Sequence, residues 1–204
     1  MGFYQDQVVP RITNVALGSR EFARIRPRVT AGLAGEVLEV GFGSGLNVPY
    51  YPAEVKRVRA VDPATVGRKL AASRLAASPV PVEFAGLDGQ ALPAESGTVD
   101  HVLITWTMCT IPCVATALRE MHRVLRPGGE LHFAEHGRSP DPGVARWQDR
   151  LTPLQRLLYA GCHLNRPIDR LVTQAGFRMT RLENFYLPGP RPFGYIFEGV
   201  AVKA

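Results

Sequence analysis

Short apolar runs alternate with amphipathic stretches along this chain, and their periods predict its elements. Phe3, Val8, Ile12, Val15 and Ala16 recur at roughly helical spacing. Pro10 falls among them, so a kinked helix or two short helices are expected over residues 3–17. A second short helix is expected over 19–31. The grammar then changes. Glu36–Val40 is a β-rich run that leads into glycines, and Arg57–Val61 is another, closed by Asp62-Pro63. Residues 64–77 are Ala-rich and read as helix, and Val80–Phe84 as strand. His101–Thr105 is an apolar strand of the kind found in parallel sheets covered on both faces. A helix over 114–125 is stopped by Pro127-Gly128-Gly129, and Glu130–Glu135 follows as strand. Helices near 143–160 and 165–175 precede strands at 177–185 and 195–202.

Strands alternating with helices predict an α/β fold with a mainly parallel sheet. The last two strands are separated only by the Pro/Gly loop Leu187–Pro192, too short for a helical crossover. The final strand is therefore expected to be antiparallel to its neighbour. Residues 1–34 are expected to form a helical cap, and 35–204 the main domain.

Composition narrows the class. In 204 residues, 46% hydrophobic content supports one substantial core. Three cysteines cannot make a complete disulfide framework. The longest apolar stretch, Val102–Leu118, carries four Thr and Pro112, which argues against a membrane span. No Lys/Arg-then-apolar signal opens the chain. Met1-Gly2 resembles the start of a myristoylation site, but Asp6 stands where Ser or Thr is wanted. A cytoplasmic protein is the expectation. The net charge of +6 is Arg-borne and has a local cluster at Arg20, Arg24, Arg26 and Arg28. Its ordinary reading is a solvated helix face; its functional reading is peripheral contact with an anionic membrane.

The chemistry concentrates after the first strand, in Glu39-Val-Gly-Phe-Gly-Ser-Gly45. Glycines serve where a ligand presses on the backbone or φ must be positive. The dinucleotide fingerprint wants its third glycine five residues after the first; here Gly45 comes at four and Leu46 holds the fifth place. Alone, the loop is weak evidence, with a plain strand-to-helix turn as the rival reading, and its partners decide. Asp62, ending the second strand, sits near the spacing at which an acid takes ribose hydroxyls.

Three further stretches stand in order: Asp88-Gly-Gln-Ala-Leu-Pro93, Val99-Asp100 and Arg123-Val-Leu-Arg-Pro-Gly-Gly129. With them the chain resembles the class I S-adenosylmethionine-dependent methyltransferases, in the ubiquinone/menaquinone-methyltransferase-like branch. Gly45–Tyr50, Leu131–His136 and Gly161–Arg166 resemble bacterial relatives of the mammalian methyltransferase-like alkyl thiol methyltransferases. Bacterial phosphatidylethanolamine N-methyltransferases look similar around the glycine loop.

The resemblance implies a Rossmann-like sheet, S-adenosyl-L-methionine as cofactor and a set of roles. Gly41, Gly43 and Gly45 would carry the methionyl part, and Glu39 would orient its amino group. Asp62 would accept from both ribose hydroxyls, and Pro63 would pack on adenine. Asp88 and Gly89 would meet the adenine edge. Phe42, Asn47 and Thr105 would complete the lining.

For the acceptor, His136 at the end of the fifth strand is the expected base, with a purely structural histidine as the rival reading. His132, deeper in that strand, reads as a satisfied core histidine. Tyr4, Trp106 and Tyr186 are expected to build an apolar acceptor pocket, with His163 reaching in. No metal is expected: Cys109, Cys113, Cys162 and His163 show no C-x-x-C spacing. Nucleic acid is not expected as a partner either, since Thr105-Trp-Thr-Met108 stands where amino-methylating enzymes of nucleic acids carry their N/D-P-P-Y/F signature. The expected activity is methyl transfer to a small or lipophilic acceptor, foremost a thiol. The rivals are phospholipid N-methylation at a membrane and cofactor binding without catalysis. Oligomeric state is not legible from the sequence.

Overall fold

The computed structural model describes residues 4–203; Phe3 of the N-terminal stripe and the Met1-Gly2 pair lie outside the described residues. Seven strands form one sheet: β1 Gly35–Val40, β2 Val55–Val61, β3 Val82–Gly86, β4 Val99–Thr105, β5 Leu125–His136, β6 Phe177–Tyr186 and β7 Tyr195–Lys203. Their order is β3-β2-β1-β4-β5-β7-β6. Pairings among the first five strands are parallel, and β7 runs antiparallel to both β5 and β6. The short Pro/Gly loop thus dictates the direction of the last strand, as expected. β7 inserts between β5 and β6 rather than closing the edge.

Period-two alternation divides the core. Leu38, Val40, Val102 and Ile104 pack on one face with Leu118, Met121, Ile168 and Val172. These last four come from α5 (Val114–Val124) and α7 (Ile168–Gln174). Val37, Val58 and Leu103 pack on the other face with Ile25, Val29 and Ala71, from the N-terminal segment and α4 (Thr65–Ala76). The chain runs outward from β1 through β2 to β3 and returns to β4 on β1's other side. That reversal leaves a crevice at the carboxyl ends of β1 and β4, where open α/β sheets bind ligands.

The N-terminal segment departs from its predicted shape. A π-turn over Tyr4–Val8 leads into α1 (Val9–Leu17), and Pro10 sits in the first turn of α1, where its missing N–H costs no helix bond. The helix expected over 19–31 is two pieces, α2 (Arg20–Ala23) and α3 (Arg26–Thr30), with Pro27 in the first turn of the second. Downstream, β5 begins at Leu125, so the Pro-Gly-Gly run lies within a bulged strand. α6 (Pro142–Leu158) is capped by Asp141, whose carboxylate accepts from the N–H groups of Gly143 and Val144.

The basic cluster is largely consumed inside the fold. Arg26 is only 3% exposed. Arg28 reaches back to the fully buried Glu198 of β7 at 2.5 Å, with Arg181 on the same carboxylate at 3.5 Å. Arg20 and Arg24 alone of the four are free of such ties and exposed. The Arg28–Glu198 pair fastens the N-terminal segment to the sheet. Arg28→Ala is expected to destabilise the protein by roughly 2–3 kcal/mol, because it leaves a buried carboxylate short of its main donor. Combining it with Glu198→Gln should recover much of that loss, which chemical denaturation of the single and double variants will measure.

Candidate active site

The site is assembled at the end of β1. Gly41, Gly43 and Gly45 have φ of +78°, +55° and +70°, a region costly for residues with a Cβ. At Gly41 the exclusion is also steric: a Cβ would lie 1.9 Å from Thr107 Oγ1. Gly67, one turn into α4, plays a matching part that the sequence reading missed, since a Cβ there would lie 2.5 Å from the Gly43 carbonyl oxygen. The loop is laced to β2 as well. Gly41 N–H donates to Val61 O at 2.8 Å, and Gly43 N–H donates to Asp62 Oδ2 at 2.7 Å. Asp62 Oδ1 accepts from Ala64 N–H at 2.7 Å.

This loop forms one wall of a cavity of about 840 Å³, within the usual range for small-molecule and cofactor sites. Of the residues singled out from the sequence, Gly41, Phe42, Gly43, Asn47, Asp62, Pro63, Asp88, Gly89, Thr105 and Trp106 line it. Gly45 lies behind the loop, close to Ala71, Phe42 and Val48. Val9, Pro10, Thr13, Asn14 and Leu17 close the cavity from the N-terminal side. Gln5 pins that side across the mouth, donating to Leu157 O at 2.9 Å and accepting from Ala160 N–H at 3.0 Å.

A buried polar network backs the wall. Asn47 donates to Glu39 Oε1 at 2.9 Å and to Thr105 Oγ1 at 3.0 Å. Arg26 donates to Asn47 Oδ1 at 2.5 Å and to Leu17 O at 3.0 Å, with its guanidinium 4.9 Å from the Trp106 ring centre. Tyr51 donates its hydroxyl hydrogen to Glu39 Oε2. Glu39 therefore sits one layer behind the cavity surface with both oxygens engaged, and Asn47 presents the network to the cavity. Burial pushes the Glu39 carboxyl up to about 7 and pulls the Arg26 guanidinium down to about 10. Burial also raises Asp62 from its ordinary value.

Trp106 carries two marks of constraint. Its φ is +49°, rare for a bulky residue, and its Nε1 is buried with no hydrogen-bond partner. An unpaired donor beside a cavity marks a place for a ligand acceptor.

The expected acceptor residues fare differently. Tyr4 is exposed and off the cavity wall. Tyr186 pairs its hydroxyl with Ser139 Oγ at 2.6 Å near the far edge of the sheet. The His163 ring is held by Cys109 O at 3.1 Å. His136 does not face the cavity; its Nε2 lies 3.2 Å from Cys162 Sγ. The expected base is thus turned away, because the residue following Glu135 at the strand end points toward the α6–α7 connection. His132 is satisfied by Val29 O at 2.9 Å, as a core histidine should be. Among the described residues, the ionisable side chains on the cavity wall are Arg26, Asp62 and Asp88.

Comparison with known proteins fixes the family. Residues 38–133 match the family described as "Methyltransferase domain". Human thiol S-methyltransferase TMT1A is 30% identical over 94% of this chain and 80% of its own. The phosphatidylethanolamine N-methyltransferase of Cereibacter sphaeroides is 29% identical over 67% of each chain. The crystal structure of a SAM-dependent methyltransferase from Aquifex aeolicus superposes with a TM-score of 0.66 at 20% identity, covering 96% of this chain and 98% of that one. The chain belongs to the class I S-adenosylmethionine-dependent methyltransferases.

The cavity suits that cofactor on physical grounds. Its loop takes positive φ at three glycines, two carboxylates, Asp62 and Asp88, stand on its wall, and the buried Trp106 indole N–H lacks an acceptor. The methyltransferase network behind it also predicts a pH signature. A carboxyl whose folded pKa lies above its unfolded value contributes stability that is complete below the unfolded value and lost as pH rises through the folded one. For Glu39 that window runs from about pH 4.5 to about 7. Glu39→Gln is expected to remove a decline on the order of 3 kcal/mol across this window, as read from denaturant midpoints at stepped pH. An unaltered profile would show that Glu39 is ionised throughout.

Proposed function

We propose that this methyltransferase transfers the methyl group of S-adenosylmethionine to the sulfur of a small lipophilic thiol. The carrying observation is the cavity wall itself: it is lined by apolar groups such as Val9, Pro10, Leu17, Trp106, Ile111 and Pro112, and it offers no histidine, lysine, tyrosine or glutamate among the described residues. An acceptor here must supply its own lone pair. A thiol as acidic as a cysteine side chain, with a pKa near 8.5, is partly thiolate near neutral pH, whereas an alkyl amine near 10 is nearly all protonated, so the wall favours thiols of that acidity or greater. The thiol S-methyltransferase relatives support the same reading.

Each wall residue then has a task. Asp62 receives the ribose hydroxyls on the lone pairs left by its bonds to Gly43 and Ala64. Pro63 packs against the adenine ring, with Asp88 and Gly89 at the adenine edge. The glycine loop carries the methionyl portion, and Glu39 acts through Asn47 rather than by contact. When bound, the cofactor supplies an electrophilic methyl on a sulfonium and departs as a neutral thioether, so no acid is required. The acceptor thiol loses its proton to water. Its sulfur then forms the new carbon–sulfur bond in line with the one that breaks. The protein's contribution is alignment and exclusion of water, with the closure of Gln5 over the mouth shaping the acceptor side.

Asp62→Ala is expected to weaken S-adenosylhomocysteine binding by roughly 1.5–3 kcal/mol in calorimetry; unchanged affinity would remove Asp62 from the ribose. The acceptor is tested by a radiolabelled-methyl screen over thiols, phenols, amines and phosphatidylethanolamine vesicles. Turnover should favour alkyl and aryl thiols, with kcat/KM following each acceptor's own ionisation. Labelling of vesicles in preference to thiols would move the assignment to phospholipid N-methylation. Cofactor binding with no turnover on any class would identify a non-catalytic binder.

A further inference from the structure

Behind the cavity wall lies a cluster that the proposed reaction does not use. Cys109, just past β4, His136, the last residue of β5, and Cys162, between α6 and α7, converge so that Sγ, Nε2 and Sγ all lie within 4.8 Å of one another. Both cysteines are buried, and neither is in a disulfide. We propose that these three side chains bind a zinc(II) ion.

Geometry and chemistry both point there. Bonds of about 2.3 Å to sulfur and about 2.0 Å to nitrogen place the ligand atoms of a tetrahedral zinc roughly 3.5–3.8 Å apart. The cluster needs only small side-chain adjustment to reach that spacing. Two thiolates and a neutral imidazole form a soft-to-borderline set that zinc favours over the hard cations. Charge also balances. The two thiolates neutralise the ion, and the neighbouring Arg166 stands within electrostatic reach of the buried Glu135. Two polar atoms at this spot, Glu135 Oε2 and His136 Nδ1, are buried with no hydrogen-bond partner. Unpaired buried groups of this kind are costly in a core. The three side chains leave a fourth coordination position open.

The location indicates what the ion would do. Thr110 and Ile111 follow Cys109, Ala160 and Gly161 precede Cys162, and all four line the cavity. The backbone N–H of His163 already donates to Cys109 O at 2.9 Å, stitching the same two segments. Zinc would fasten the acceptor side of the cavity to the end of β5. No local spacing announces this set, since its members stand 27 and 26 residues apart along the chain. The exposed Cys113 and the loop-bound His163 take no part.

Protein purified under reducing conditions, stripped with chelator and titrated with Co(II) should bind one equivalent. It should show the thiolate-to-cobalt charge-transfer band and the d–d bands of a tetrahedral site, and Zn(II) should displace them. Cys162→Ser and His136→Asn should lose the bands, while Cys113→Ser should keep them. S-adenosylhomocysteine binding measured on each variant reports whether it is folded. Wild-type protein that takes up no Co(II) while its cysteines are reduced would overturn the proposal. So would bands that survive in a folded Cys162→Ser variant, or an intact mass showing that Cys109 and Cys162 remain disulfide-bonded in metal-treated protein.

Discussion

The whole site depends on one steric constraint: the backbone after β1 must turn three times through positive φ while pressed between Thr107 and the start of α4. A Cβ at Gly41 would collide with Thr107, and one at Gly67 would collide with the Gly43 carbonyl. Because both surfaces are bare of side chain, the loop lies flat across the crevice between β1 and β4. Asp62 converts that loop from a permitted shape into a held one, by accepting from Gly43 on one oxygen and from Ala64 on the other. The same carboxylate lines the cavity, so the group that holds the loop also faces the space it encloses.

The second determinant is the chain Arg26–Asn47–Glu39–Tyr51, which carries the cavity wall into the core and ties the N-terminal segment to it. Arg26 is the joint. It bonds to Leu17 O at the end of α1 and to Asn47 behind the cavity, and it faces the ring of Trp106. One side chain thus contacts both α1 and the polar wall of the cavity. Burial raises the Glu39 carboxyl to about 7, against the opposing pull of Tyr51, Asn47 and Arg26.

Much of this was legible along the chain, and the reasons are local. Leu38/Val40 and Val37 alternate between two core faces because a strand has a period of two. The glycine loop and Asp62 declare themselves because each stands at a strand's end in a short span. The length of Leu187–Pro192 alone excludes a parallel last strand. The failures were equally physical. Pro27 was passed over, and it divides a helix that propensity would have run through. Arg26 and Arg28 look like a solvent-facing cluster until Asn47 and the buried Glu198 arrive from 21 and 170 residues away. Tyr4, Tyr186, His136 and His163 were chosen by residue type, and type does not encode the direction a side chain faces. The union of Cys109, His136 and Cys162 is a product of topology, invisible to spacing rules.

That asymmetry follows from how the fold divides its labour. The cofactor side is built from the carboxyl ends of adjacent parallel strands, so its residues fall in fixed order and its motif can be read from the chain. The opposite side of the cavity is assembled from the N-terminal turn, the segment after β4 and the end of α6, joined where Gln5 bonds to Leu157 and Ala160 and where His163 N–H donates to Cys109 O. These segments share no register with the sheet. Acceptor choice is then a property of wall chemistry, not of the fold. Among the described residues the wall carries no histidine, lysine, tyrosine or glutamate, and its two carboxylates, Asp62 and Asp88, lie on the β2 and β3 side, away from Trp106.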